Sequence, residues 1–465
     1  MEHHGSTRRS FLATALAASR LAQAAPDRTP NIVVILCDDL GYGDTSPYGS
    51  AINTPNIAKM AREGMRFQHY YSANPVCSPS RASLLTGRYP TRVNVPRVLF
   101  PKDQDGLALG EKTLADLLKA QGYKTNCVGK WHLGHTPDYL PTSRGFDQYF
   151  GIPYSNDMVP RWLMHNREVV EQEAPLDTLT PRYTEHAVRF IEENRGSPFF
   201  LYFPHTYPHI PLGASERFRG KSRYGLYGDV VEEIDWSVGE VLNALKRTGN
   251  DTNTLVMFTS DNGPWYQGSP GRLRGRKGMT LEGGVRVPFI ARYPGHIPPN
   301  TLCNGIASAM DIVPTVSKLC NAALPPDKPM DGIDIWPMLA GRTKEIDREP
   351  LLYFDNWNLQ CVRWRQWKMH VSRYNSIAYS PAPAAGRLNI ALNTPELYDI
   401  VTDPDESYDV APKHPEVVRD LLTKVEAAVA TFPDEVKRAY AEAQGLRSPR
   451  SNPGALPAMP PSASK

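Results

Sequence analysis

The first unbroken apolar run, Asn31–Cys37 (NIVVILC), stops abruptly at Asp38–Asp39 and a glycine-rich stretch. A run that is apolar at successive positions, rather than at alternate ones, predicts a strand buried on both faces, as in a parallel sheet. The period then changes. TPNIAKMAREGMRFQHYYS spaces its apolar residues as a helix does and finishes in a strand. EKTLADLLKAQGYKTNCVGKWH repeats the unit: Thr113 is the candidate N-cap, Gly122 ends the helix, and a strand follows. RYTEHAVRFIEENRGSPFFLYFPH and YGDVVEEIDWSVGEVLNALKRTGNDTNTLVMFTSDNG do the same twice more. Helices alternating with apolar strands predict βαβ units and a doubly wound parallel sheet, an α/β fold. Ligands of such sheets sit beyond the carboxyl ends of the strands. The residues at those ends are Asp38–Asp39, Lys130–His132, His205–His209 and Asp261–Asn262, all polar and chemically capable.

After about Ala340 the pattern alternates and turns aromatic. REPLLYFDNWNLQCVRWRQWKMHVSRY reads as antiparallel strands, PELYDIVTDPDESYDVA as a strand and turn, and HPEVVRDLLTKVEAAVATF as a helix. A large unit over 25–345 is therefore followed by a small α+β unit over 346–440, with a Pro/Ser-rich tail over 441–465 expected to be disordered. The amino terminus, STRRSFLATALAASRLAQAAP, joins Arg8–Arg9, a weakly apolar stretch and a small-x-small site in the order of a twin-arginine export signal. Residues 1–24 are read as that signal, which predicts an exported chain, periplasmic or secreted. The stretch is too short, and too interrupted by Arg20, to span a bilayer, and no other window suits an integral membrane segment.

Composition adds exclusions. The 465 residues are 41% hydrophobic and 22% charged, enough for a sizeable core. A net charge of +3 is too balanced to argue for nucleic acid, so any anion site must arise locally. None of the six cysteines forms a CxxC pair, which leaves zinc-ribbon and thioredoxin-type chemistry unsupported. Cys37 and Cys127 read as buried hydrophobes, and Cys303 with Cys320 is a candidate disulfide that the sequence leaves open. Cys77 alone sits in a polar, turn-rich setting.

Either acidic pair alone is an ordinary turn former. Both at strand ends of one sheet point to a hard, oxygen-seeking cation such as Ca²⁺ or Mg²⁺, since clustered carboxylates otherwise repel. The glycines and prolines of GKWHLGH and PHTYPHIP remove the helical His-x-x-x-His geometry of a zinc site, and His135 and His205 read as surface or hydrogen-bonded residues. Lys277 lies in GRLRGRKGMTLEGGVRVP, where a lysine and close-approaching glycines suit an oxyanion. In CSPSRASLLTGR, Ser78 reads as a helix N-cap and Pro79 as the first helical residue, putting Cys77 at a helix amino end. A thiolate there is one reading. Sulfur, however, is a poor companion for a hard cation, which argues that the working group is not sulfur.

That segment resembles the signature of the formylglycine-dependent type I sulfatases, in which Cys-x-Pro-x-Arg directs oxidation of the cysteine to an aldehyde. NIVVILCDDLGYGD, VGKWHLGH, FLYFPHTYPHIP, FTSDNGP, KGMTLEGGVRVP and LYDIVTDPDE carry the resemblance over most of the chain, and it is strongest to the arylsulfatase A and N-acetylgalactosamine-6-sulfatase branch. The resemblance implies an alkaline-phosphatase-like large mixed, mostly parallel sheet flanked by helices, with a smaller carboxyl-terminal α+β domain. It implies one Ca²⁺ bound by Asp38, Asp39, Asp261 and Asn262 together with the modified Cys77. It implies that Arg81 holds the formylglycine (3-oxoalanine), and that Lys130, His132, His209 and Lys277 contact the sulfate or the leaving group. His209 is preferred to His205 because HIP matches the family's histidine before x-Pro. A maturation enzyme that generates the formylglycine is the implied partner. A sulfated saccharide or aryl sulfate is the implied substrate, with 6-O-sulfated N-acetylgalactosamine or galactose at chain ends foremost. Two rivals stay open: a phosphodiesterase or phosphonate monoester hydrolase of the same superfamily, and a non-catalytic sulfated-glycan binder with an unmodified Cys77.

Overall fold

The computed structural model describes Met1 and residues 29–374 and 388–445. The export-signal reading, beyond Met1, and the tail after Gly445 lie outside the described residues. Ten strands build the large sheet: β1 (Asn31–Cys37), β2 (Met65–Tyr71), β3 (Lys124–Val128), β4 (Gln148–Gly151), β5 (Leu163–His165), β6 (Glu168–Glu171), β7 (Phe199–Pro204), β8 (Thr254–Ser260), β9 (Phe289–Arg292) and β10 (Thr301–Ser308). Their order in space is β10-β2-β9-β8-β1-β7-β3-β4-β5-β6. The central strands β8, β1, β7, β3 and β4 are parallel, as the apolar runs predict. The purely parallel expectation from the pattern fails at β9, antiparallel to both neighbours, and at β4–β5–β6. A parallel return needs a crossover of a dozen or more residues, usually a helix. The β8–β9 connection carries only a four-residue helix, Glu282–Val285, so β9 runs back the other way.

The large unit's helices are α1 (Pro55–Arg62), α2 (Cys77–Thr86), α3 (Leu114–Ala120), α4 (Leu179–Glu193), α5 (Gly225–Arg247), α6 (Glu282–Val285), α7 (Ile312–Leu319) and α8 (Trp336–Leu339). Successive side chains of a strand point to opposite faces. Accordingly Ile32, Val34 and Leu36 of β1 pack with α2, α3 and α7, whereas Val33, Ile35 and Cys37 pack with α1, α4 and α5. Each such apolar side chain contributes about 1.5–3 kcal/mol by burial. Thr113 caps α3 as expected, in a capping box with Asp116. Ser78 does not cap α2. The N-cap is Val76, and the Ser78 hydroxyl instead accepts the Leu99 N–H at 3.1 Å. Proline is tolerated throughout a first turn, where its missing N–H has no intrahelical partner, so the helix begins earlier and includes Cys77.

The carboxyl-terminal unit is an antiparallel sheet in the order β11 (Leu351–Asp355), β12 (Asn358–Trp364), β13 (Trp367–Tyr374), β14 (Asn389–Asp399), with α9 (Pro415–Val429) and α10 (Asp434–Gly445). The sequence reading missed α10, which runs past the expected boundary at 440. All six cysteines are free and buried, so Cys303 and Cys320 form no disulfide.

The two units share an apolar core joining Tyr71, Tyr89 and Val285 to Phe354, Val362 and Leu421. They also share a buried polar cluster. Lys368 Nζ donates to Glu282 Oε1 at 3.1 Å and Glu406 Oε1 at 3.3 Å, and His370 Nε2 lies 2.5 Å from Glu406 Oε2. Burial works to raise the Glu406 carboxyl, but the charges of Lys368 and His370 outweigh it, and the group falls from 4.5 to about 2. A folded pKa below the unfolded one gives stability that is complete above the unfolded value and is lost as pH falls through the folded one. The shift corresponds to on the order of 3 kcal/mol. Urea unfolding between pH 5 and pH 3 should therefore show a steeper loss of stability for the native chain than for Glu406→Gln. Equal slopes would contradict this assignment.

Candidate active site

Four adjacent parallel strands, β8, β1, β7 and β3, end at one edge of the sheet. The register pairs Cys37 with Ser260, so Asp38 and Asp261, the next residue on each strand, emerge side by side. The loop after β7 brings His209. After β3 the chain turns at Gly129, φ +128°, where a Cβ would stand 1.8 Å from the Pro204 carbonyl oxygen; only glycine allows this turn, which aims Lys130 inward. Asp39 and His132 adopt left-handed conformations, φ 62° and 63°. For non-glycine residues these cost of order 1 kcal/mol or more and concentrate at functional sites. Cys77 is the first residue of α2, and the loop between β8 and α6 delivers Lys277.

The side chains interlock. Arg81 donates from Nε and Nη2 to Asp261 Oδ2 at 2.9 and 2.8 Å and from Nη1 to the Lys130 carbonyl at 2.8 Å, and its Nη2 is 3.4 Å from Asp38 Oδ2. Lys130 Nζ donates to Asp38 Oδ2 at 2.5 Å and Ser155 Oγ at 3.0 Å. Lys277 Nζ donates to Asp39 Oδ2 at 2.9 Å, and His209 Nε2 is 3.7 Å from the same oxygen. The Cys77 thiol lies 3.5 Å from Asp38 Oδ1. All ten predicted site residues are at most 7% exposed, so charge acts here through little water.

Burial, then the Asp38 charge, pushes the Cys77 thiol well above its usual range, which disfavours a thiolate there. Burial also acts to raise Asp38, but Lys130, His209, Arg81 and Lys277 hold it well below the usual carboxylate range. Asp261 has the opposite balance: burial and the neighbouring Asp38 charge push it up to about 7. His132 is driven well down by burial, then by Lys130 and Arg81, and is neutral. Its Nε2 lies 2.8 Å from the Leu99 carbonyl, so the proton is on Nε2 and the buried, unpartnered Nδ1 presents a lone pair. His209 is lowered by burial and then by Lys277.

The oxygens of Asp38, Asp39, Asp261 and Asn262 suit a hard cation, and the Cys77 sulfur does not. Ligand atoms of Asp38, Asp39, Cys77 and His209 lie within 4.8 Å of one another. Asp261 Oδ1 accepts the Asp39 N–H at 3.2 Å, and Asn262 Nδ2 donates to Asp39 Oδ1 at 2.7 Å. The Asn262 Oδ1 is buried with no hydrogen-bond partner, an arrangement that costs on the order of 1–3 kcal/mol and that a bound cation relieves.

The sulfatase profile matches residues 30–322, and that for the C-terminal region of aryl-sulfatase matches 346–460. Arylsulfatase A of Bos taurus is 38% identical, over 89% of this chain and 89% of its own length. N-acetylgalactosamine-6-sulfatase of Rattus norvegicus is 41% identical, over 78% of this chain and 75% of its own. The crystal structure of the PsFucS1 sulfatase from Pseudoalteromonas sp. superposes with a TM-score of 0.78 at 29% identity, covering 87% of this chain and 90% of that one. The chain belongs to the sulfatase family. This sulfatase is a sulfuric ester hydrolase, and the mixed ten-stranded sheet with a separate four-stranded antiparallel sheet is the fold expected of it. No helix among its described residues is long and apolar enough to cross a membrane.

Sequence reasoning missed several contributors to the sulfatase site. Ser155, the partner of Lys130, follows β4, whose parallel pairing with β3 brings it to the same edge; the short QYFG run hides that strand. The Leu99 carbonyl that sets the His132 tautomer carries no side-chain signal at all. His205 corrects the reading of a surface or hydrogen-bonded residue. It is 0% exposed, neither ring nitrogen has a partner, and it packs against Phe203 with ring centroids 4.3 Å apart. Burial lowers it to about 3. Replacing His209 by alanine should lower kcat by about 10²–10⁴-fold, the usual worth of a general acid or base, whereas His205→Leu should keep activity within a few-fold. Steady-state rates on an aryl sulfate check both, and the reverse pattern would exchange the roles.

Proposed function

We propose that this sulfatase removes sulfate from a sulfated saccharide, using a formylglycine made from Cys77 and a Ca²⁺ ion held by Asp38, Asp39, Asp261 and Asn262. The observation that carries the proposal is the buried meeting of Asp38, Asp39, Cys77 and His209, with ligand atoms within 4.8 Å of one another. Three carboxylates there face three cations, Arg81, Lys130 and Lys277, so the protein groups are formally balanced. A divalent ion, when bound, supplies net positive charge that attracts an anionic ester and stabilises charge developing on it. Formylglycine, as its hydrate, supplies two hydroxyls, one to accept the sulfuryl group and one to drive its release, which a thiol or serine lacks.

The chain's own residues do the rest. Arg81 locks Asp261 and the Lys130 backbone, and so orients the groups around residue 77. Lys130 and Lys277 offer ammonium charges to the sulfate oxygens from a site nearly closed to water, where preorganised charge is most effective. His132 holds an open lone pair at Nδ1 and is suited to take a proton from a hydroxyl at position 77. His209, its Nδ1 turned to the Ile210 carbonyl, presents Nε2 to the departing alcohol. The similarity to N-acetylgalactosamine-6-sulfatase favours 6-O-sulfated N-acetylgalactosamine or galactose as the sugar. A formylglycine-generating enzyme matures the chain, and the twin-arginine segment exports it.

Three measurements test the reading. Mass spectrometry of the peptide around Cys77 should find the aldehyde in active preparations. Thorough chelation should remove most turnover, and added Ca²⁺ should restore it. Aryl sulfate and 6-O-sulfated sugars should be turned over well above aryl phosphate. A free thiol in fully active enzyme, or a rate indifferent to metal stripping, contradicts the proposal.

A further inference from the structure

The motif LYDIVTDPDE ends in Glu406, which no step above uses. Glu406 is 0% exposed and sits at φ +53°, a strained conformation for a residue other than glycine. It belongs to the carboxyl-terminal unit, yet both its ends grip the loop that carries Lys277. Its carboxylate Oε1 accepts the Glu282 N–H at 2.6 Å, and its backbone carbonyl accepts Arg274 Nη1 at 2.9 Å. Arg274 and Glu282 bracket Lys277, and the Gly283 N–H closes the bracket on the Arg274 carbonyl at 2.7 Å. The adjoining β12 adds Gln360 on Thr280 Oγ1 at 3.2 Å and the Cys361 thiol on the Thr280 carbonyl at 3.4 Å. On the catalytic side, the Lys277 N–H bonds to the Pro264 carbonyl at 3.0 Å and the Gly278 N–H to Pro75, two residues before Cys77, at 2.9 Å.

Two carboxylates, Glu282 and Glu406, are thus buried together. Lys368 lies between them, Arg286 flanks Glu282 at 3.5 Å, and His370 flanks Glu406. Such a cluster tolerates little displacement, because moving one member leaves a buried charge unpaired. The stretch from Gly263 to Leu281 has no helix or strand of its own to hold it. Lysine is a flexible four-carbon stem, and its head is only as well placed as its backbone.

We propose that Glu406 is a positioning residue for sulfate ester hydrolysis: it clamps the Arg274–Glu282 loop so that Lys277 Nζ is held beside Asp39. The carboxyl-terminal sheet is then part of the catalytic machinery rather than an appended unit. This rests on the reading that Lys277 contacts the sulfate, and the test separates the two claims.

The test is a double-mutant cycle in kcat/KM on an aryl sulfate, combining Glu406→Ala with Lys277→Ala, alongside melting temperatures. A misplacement near 1 Å costs about 10²-fold, so Glu406→Ala should lose about 10- to 100-fold, mostly in kcat. Added to Lys277→Ala it should cost about twofold or less, because the group it positions is already gone. Glu406→Gln, which keeps an oxygen for the Glu282 N–H, should recover most of the loss. Should Glu406→Ala fail to fold, Arg274→Met breaks the second grip and takes its place in the cycle. Equal losses in both backgrounds, with Lys277→Ala itself impaired, would overturn the positioning role alone. Full activity of Lys277→Ala would overturn both claims.

Discussion

Replacing Cys77 by alanine should abolish turnover, lowering kcat by about four orders of magnitude or more, while leaving a folded chain. Loss of the group that forms the covalent bond has effects of that size or larger in enzymes that use one. The structural cost is small. Cys77 is the first residue of α2, where alanine is a good helix former, and its sulfur makes one hydrogen bond, to Asp38. Losing one buried sulfur should cost about 1 kcal/mol. Cys77→Ser should be nearly as inactive in a host without a serine-converting maturation enzyme, since an unconverted hydroxyl has no second oxygen to drive release. Rates on an aryl sulfate, read beside a thermal melt, check the pair. Activity within tenfold of the native chain in Cys77→Ala would refute the covalent role of this residue.

Arg81→Met should be the most damaging single change to stability within the site, costing about 3–5 kcal/mol, the range for removing one partner of a buried ionic cluster. The guanidinium is 0% exposed, donates twice to Asp261 and once to the Lys130 carbonyl, and lies 3.4 Å from Asp38. Without it, Asp38 and Asp261 face each other in a dry site, with Lys130, His209 and Lys277 left to offset their charge. Arg81→Lys should not rescue, because a single ammonium cannot span three acceptors set by a planar fork. Activity should be lost in both variants even at temperatures where they remain folded, since the Asp261 carboxylate loses its orientation. Urea midpoints and rates at low temperature check the two effects separately. An Arg81→Met protein within about 1 kcal/mol of native stability would mean that the cluster is held by other groups.

Much of this molecule is written locally. Seven successive apolar residues from Asn31 specify a strand covered on both sides, whatever lies elsewhere in the chain. The break to Asp38–Asp39 marks its end, and the same syntax recurs before Lys130, His209 and Asp261. Parallel strands require crossovers, so helices between apolar runs already imply that these ends share one edge. CSPSRASLLTGR then singles out Cys77. That much the sequence by itself determined, because apolar period and helix capping act over about ten residues or fewer, and the resemblance of CSPSRASLLTGR to the sulfatase signature is equally local. Only the tertiary structure decided which histidine enters the site, which way β9 runs, that Ser155 meets Lys130, and that Glu406 grips the Lys277 loop. These depend on partners far apart in the chain: Asp39 and Asp261 are 222 positions apart, and Glu282 and Glu406 are 124 apart. Contacts across such distances are settled by how layers pack and which buried charges find each other, and no local pattern of residues encodes that.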